Sequence, residues 1–196
     1  MREKELTGQE SLQLITQMIS RAKNDYLETG LSALMWGGII TFCALVSFLN
    51  SYLKWDPLHF IWLLTFFAVI PQIVIARRER KERKHRGHDD RLMSGIWLSF
   101  AAAMFLMSYI EISNQWPAPI AVYLTIYGIP TFTTGYGKRF RPMVIGGIAC
   151  WALAVLSTFT PYPWSMLYLA AAAQLAWFIP GLILRKRYLK ERNKNV

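Results

Sequence analysis

The chain has 196 residues, 54% of them hydrophobic, with 22 basic and 12 acidic side chains and a formal net charge of +10. The charge is clumped: residues 142–184, a run of 43, contain no Lys, Arg, Asp or Glu, and about 20 apolar residues suffice to cross a bilayer. This excludes a soluble enzyme, a disordered chain and a specific nucleic-acid domain, and predicts an all-α polytopic membrane protein.

Residues 1–30 come first and are polar. Thr7 and Glu10 form a capping box at the start of a helix. Behind it Leu12, Ile15, Ile19, Ala22 and Tyr26 recur at spacings of 3, 4, 3 and 4, a narrow apolar seam, and Gly30 ends the helix. The segment carries four basic and five acidic residues, a poor balance for an anionic lipid surface. The seam is expected to pack on the protein's own cytoplasmic face or, through residues 8–28, on a protein partner or second copy. Leu12, Ile15, Ile19 and Tyr26 are the interface candidates. With both signs of charge this segment is no cleavable signal peptide, so the first span starts insertion.

Six spans follow as three hairpins. Hairpin 1 (31–76) holds Leu31–Leu53 and Leu58–Ala76, divided at Lys54-Trp55-Asp56-Pro57. A basic loop, 77–91, leads to hairpin 2 (92–137), with spans Leu92–Ile112 and Ile120–Gly137 on either side of a stretch containing Pro117 and Pro119. A basic turn opens segment 138–184, whose spans Met143–Phe159 and Trp164–Leu184 are divided at Thr160-Pro161-Tyr162-Pro163. Proline lacks an N–H and disfavours helix in the residue before it, so both Pro clusters read as turns. The tail, 185–196, is basic again. Basic residues put 21 of the 22 on the side of the termini, and only Lys54 opposite. That asymmetry predicts cytoplasmic termini and a cell (inner or plasma) membrane location, with anionic headgroups against the cytoplasmic face. Trp55, Trp116 and Trp164 fall at the other interface.

The hairpins share landmarks. Gly38, Gly95 and Gly147 precede Ile on the odd helices, and Pro71, Pro130 and Pro180 follow Ile on the even ones, at Gly-to-Pro separations of 33, 35 and 33 residues. Parallel in–out–in repeats are expected, with the glycines as packing seams and the prolines as kinks. The repeat count is similar to that of the mitochondrial carriers. Their Pro-x-acid-x-x-base motif on odd helices is missing, and no residue role is carried over.

Ionisable groups within spans are functional candidates by default. Glu111, at the outer end of the third span, is a binding or gating candidate, as are the neutral Gln72 and Gln174 beside the kinks. Cys43 and Cys150 read as small packing residues. The loop His85-x-x-His88-Asp89-Asp90 encloses a glycine and is flanked by arginines, so no metal site is expected. No cofactor motif and no catalytic constellation is found. The reading is a non-catalytic membrane interaction or regulatory module using the cytoplasmic helix, with a facilitator for a small solute or amphiphile, not coupled to ions through buried charges, as the alternative. A polar-lined central cavity would favour the second, a filled core the first.

Overall fold

The first helix among the described residues begins where Gly30 takes left-handed backbone, φ 71°, and receives the N–H of Leu34 at 3.1 Å. A side chain at Gly30 would be strained by that φ and would meet the Gly181 carbonyl at 2.5 Å, so glycine is required twice over. The computed structural model describes residues 29–54, 60–82, 88–114 and 118–193. Among these the chain forms α1 (Leu31–Leu53), α2 (Leu63–Glu82), α3 (His88–Asn114), α4 (Ile120–Gly137), α5 (Arg141–Thr158) and α6 (Ser165–Arg192), with no strand. The stretch Gln174–Phe178 of α6 is π-helical. Pro180, which has no N–H to give the Ala176 carbonyl, lies two residues beyond its end. The seam residues Leu12, Ile15, Ile19 and Tyr26 lie outside the described residues.

Among the described residues four helices are long and apolar enough to cross a membrane: α1, α3 from Arg91, α5 and α6. The other two expected spans fall short for different reasons. Residues 60–62 form a turn, in which Phe60 accepts from the N–H of Leu63 at 2.9 Å, so α2 starts five residues after the expected Leu58. Its apolar part, 63–76, is then only 14 residues long. In α4, Thr125, Thr131, Thr133 and Thr134 together with three glycines and Pro130 dilute the apolar character.

Packing divides the helices unequally. α4 and α5, joined by a turn in which Arg139 takes φ 51°, make the most extensive contact, while α1 runs along α6. α5 also packs on α6, which gives a four-helix block cored by Ile40, Ala44, Leu124, Tyr127, Cys150, Ala173 and Trp177. Among the described residues the backbone of α2 comes close only to that of α1, and the backbone of α3 only to that of α4, while Trp97 and Phe100 of α3 reach Trp177 of α6 through their side chains. The close pairs α4–α5 and α1–α6 join different hairpins, and α2 and α3 do not meet. The two helices of each hairpin do meet, in α1–α2, α3–α4 and α5–α6, but the contacts between successive hairpins are unequal.

Glycine sets two of these approaches. A Cβ on Gly37 would lie 2.6 Å from the Phe178 nitrogen, and one on Gly146 would lie 2.6 Å from Ala176 Cα and the Leu175 carbonyl. The π-helical turn of α6 is thus held between α1 and α5 by backbone contact. Of the three repeat glycines, Gly147 faces Phe132 of α4, and open space surrounds Gly38 and Gly95.

Candidate functional site

Because α2 and α3 stand apart, a space remains between them and the four-helix block. It is a continuous cavity of about 2410 Å³ with residues of all six helices in its wall. It runs from Glu79, Arg91 and Lys138 at the basic end to Glu111, Tyr123 and Tyr162 at the other. Between the ends the lining is aromatic, aliphatic and thioether, as in Phe66, Val69, Phe100 and Met104.

An aromatic cluster forms the middle of the wall. Tyr127 and Trp177 have ring centroids 4.9 Å apart, Phe100 lies 5.6 Å from Tyr127 and 6.1 Å from Trp177, and Trp97 completes the group 5.6 Å from Phe100. Four of the cavity's indoles have their N–H satisfied by a neighbouring helix. Trp36 donates to Gln72 Oε1 at 3.1 Å, Trp62 to Ser47 Oγ at 2.9 Å, Trp97 to Thr134 Oγ1 at 3.1 Å and Trp177 to Thr131 Oγ1 at 2.9 Å. A buried N–H without a partner is costly, so each tryptophan is fixed by its bond, and these rings offer the cavity carbon in place of an open donor. Thr131 also donates to the Tyr127 carbonyl at 2.8 Å, which aims its oxygen at the indole.

The two ends are polar. At the end away from the basic residues, Glu111 accepts from the Ala118 backbone N–H at 2.6 Å and from the Tyr123 hydroxyl, so it ties α3 to the start of α4. Glutamine in its place can accept only through its one oxygen. Glu111→Gln should therefore cost about 1.5 kcal/mol, the lower end for bonds to a charged group, as suits a half-buried site. The check is thermal unfolding in detergent, where an unchanged midpoint would mean the bonds contribute nothing. At the basic end Thr29 Oγ1 is hydrogen-bonded to Glu79 Oε1. Lys138 is half-buried in the turn after α4, and burial pushes its ammonium down to about 8. Ser32 Oγ is buried and makes no hydrogen bond with the described residues.

The residues singled out by sequence are distributed unevenly around this space. Gln72 and Glu111 line it. Gln174 instead joins α6 to α1, its Nε2 donating to Thr41 Oγ1 at 2.8 Å. Pro71 is exposed on α2 while Pro130 and Pro180 are fully buried, so the three kinks do not converge on the cavity. Trp36, Trp62, Trp97 and Trp177 were not expected there. Part of their signal was available, since tryptophan favours membrane interfaces and Trp36, Trp97 and Trp177 lie inside apolar helices. Among the described residues no three His, Cys, Asp or Glu side chains are grouped as metal ligands would be. No protein family, curated protein or solved structure matches the chain.

Proposed function

We propose that this is a six-span plasma-membrane protein with cytoplasmic termini, and that it takes an amphiphile from the bilayer into its central cavity as a non-catalytic carrier or facilitator. The cavity carries this reading, and its wall, apolar where a polar lining was expected, turns it from a polar solute to an amphiphile. Pockets for drug-sized molecules measure roughly 300–1,000 Å³. A space of about 2410 Å³ is matched to a chain-bearing molecule. A small polar solute would find no partner along the wall formed by Trp97, Phe100, Tyr127 and Trp177, whereas an acyl chain needs none. The separation of α2 from α3 supports a sideways path from the lipid. The basic asymmetry supports the topology, with α2 and α4 as the returning spans. The threonines of α4 are compatible with membrane depth because Thr131 and Thr134 are buried in the block.

The other reading, an interaction or regulatory module acting through residues 8–28, is favoured by the seam of Leu12, Ile15, Ile19 and Tyr26. It is compatible with a filled core and does not account for the cavity.

The test uses tryptophan emission of the purified protein in neutral detergent, titrated with phosphatidylcholine brominated in its acyl chains. Quenching should saturate. Ala101 and Ala121 line the cavity, and the double replacement Ala101→Phe/Ala121→Phe should weaken the saturable phase by about tenfold with little change in unfolding temperature. Quenching that rises linearly with lipid in both proteins would report contact with the outer surface alone and overturn the reading.

A further inference from the structure

Gln72 lines the cavity, half-buried on α2 directly after Pro71. Its Oε1 accepts the indole N–H of Trp36 at 3.1 Å. An indole nitrogen can only donate, so the amide has a single permitted orientation, oxygen toward Trp36 and nitrogen away from it. That nitrogen carries two N–H donors and makes no hydrogen bond with the described residues. By contrast Thr65, two turns away on α2, donates to the Trp62 carbonyl at 2.6 Å, and Trp62 donates to Ser47. Away from water an amide donor left unmet costs free energy, so the wall holds a place for an acceptor here. Gln72 lies seven residues before Glu79 along α2, which sets it about 10 Å deeper than the basic end at 1.5 Å per residue.

Resting on the amphiphile reading, we propose that Gln72 selects the ligand, and that the amphiphile is an acyl ester whose carbonyl oxygen accepts from Gln72 Nε2. A group with donors alone requires an acceptor, and a carbonyl oxygen presents two lone pairs in the plane of its ester. An ether oxygen in the same place is the weaker acceptor, and a hydrocarbon offers none. In a glycerolipid the ester lies between the head and the chains. A head at the end lined by Glu79, Arg91 and Lys138 therefore brings the ester down to Gln72 and sends the chains along Phe100 and Met104. That end carries both signs of charge and so does not select a head by its charge. With the head at the Glu111 end, chain carbon would face the amide and leave its donors unmet.

The test compares two phosphatidylcholines with the same brominated chains, attached through ester bonds in one and ether bonds in the other. The wild-type protein should reach half-saturation of tryptophan quenching at about fivefold less ester than ether lipid, as one hydrogen bond provides. Gln72→Met, close in size and without a donor, should bring the ester lipid to the level of the ether lipid. Trp36→Phe breaks the same bond between α1 and α2 from its other end and keeps the amide. Whatever it does to both lipids together, it should preserve their ratio. Equal saturation by the two lipids in the wild type overturns the ester assignment and leaves the cavity reading standing. Saturation by neither overturns the cavity reading itself. A ratio lost in Trp36→Phe as fully as in Gln72→Met would make the helix contact the determinant, and a ratio kept in Gln72→Met would place the donor elsewhere. Either result overturns the proposal. Should Gln72→Met not fold, Gln72→Glu, which keeps the acceptor that Trp36 needs, takes its place.

Discussion

Replacing Gly146 with Ala should lower the stability of the bundle by about 1–3 kcal/mol, the usual range for forcing volume into a packed contact. Helix propensity alone argues the other way, since Ala is favoured over Gly by about 1 kcal/mol in a helix interior. Sterics win because the added methyl would lie 2.6 Å from Ala176 Cα and the Leu175 carbonyl, backbone atoms that cannot swing aside. Gly37→Ala should behave alike, its methyl meeting the Phe178 backbone at 2.6 Å. Gly38→Ala is the control. Nothing lies within 4 Å of its Cβ position, so only propensity acts and the change should be neutral or stabilising by up to about 1 kcal/mol. Adjacent glycines on one helix should thus shift the detergent unfolding midpoint in opposite directions. Equal shifts would show that the α1–α6 contact does not run along Gly37.

The largest single loss is expected at Trp177. It is 4% exposed and packs against Trp97, Phe100 and Tyr127. Trp177→Ala should cost about 3–5 kcal/mol, as other large-to-small changes of buried aromatics do. Two smaller changes separate ring packing from the hydrogen bond. Trp177→Phe keeps most of the ring, and Thr131 keeps its bond to the Tyr127 carbonyl, so the cost should be about 1 kcal/mol. Thr131→Val does the reverse: the ring stays, and a buried N–H loses its acceptor at a cost of about 1–3 kcal/mol. The expected order of unfolding midpoints is Trp177→Phe above Thr131→Val above Trp177→Ala. If Thr131→Val proved harmless, the indole would have found another acceptor, and the hydroxyl would not be what fixes the ring.

Helix ends were legible where punctuation marks them. α1 runs from Leu31 to Leu53 as read from the sequence because Gly30 and Lys54 bound it, both in left-handed backbone. α4 matches from Ile120 to Gly137, between Pro119 and a basic turn. Ends without such marks moved. α3 starts at His88, before Leu92, and α6 continues past Leu184 to Arg192, the latter because Arg, Lys and Leu propagate a helix readily once it has started. Helix partners were not legible. An apolar helix face has the same composition against lipid as against another helix, so the pair Gly37-Gly38 marks a seam without saying which glycine touches it. The π-helical turn was hidden because Gln-Leu-Ala-Trp-Phe contains no breaker. Of the candidate site, Gln72 and Glu111 could be found as polar groups in apolar runs. The cavity itself could not, since it results from two helices failing to meet.

The same π-helical turn makes α6 unusual in how its length can change. A residue lost from a regular α-helix rotates everything beyond it by about 100°, which would carry a lipid-facing side chain into the interior. A π-turn holds one residue more than the α-helix around it, so a one-codon deletion within 174–178 can relax it to regular winding with both flanks still in phase. Leu175, 41% exposed, is the residue whose side chain the interior would miss least. Gly181 would still meet Gly30, and Arg187 would still reach Phe140. A deletion in α1 or α5 has no such slack. A chain shortened by one residue within this turn can therefore keep the same packing arrangement on both sides of it.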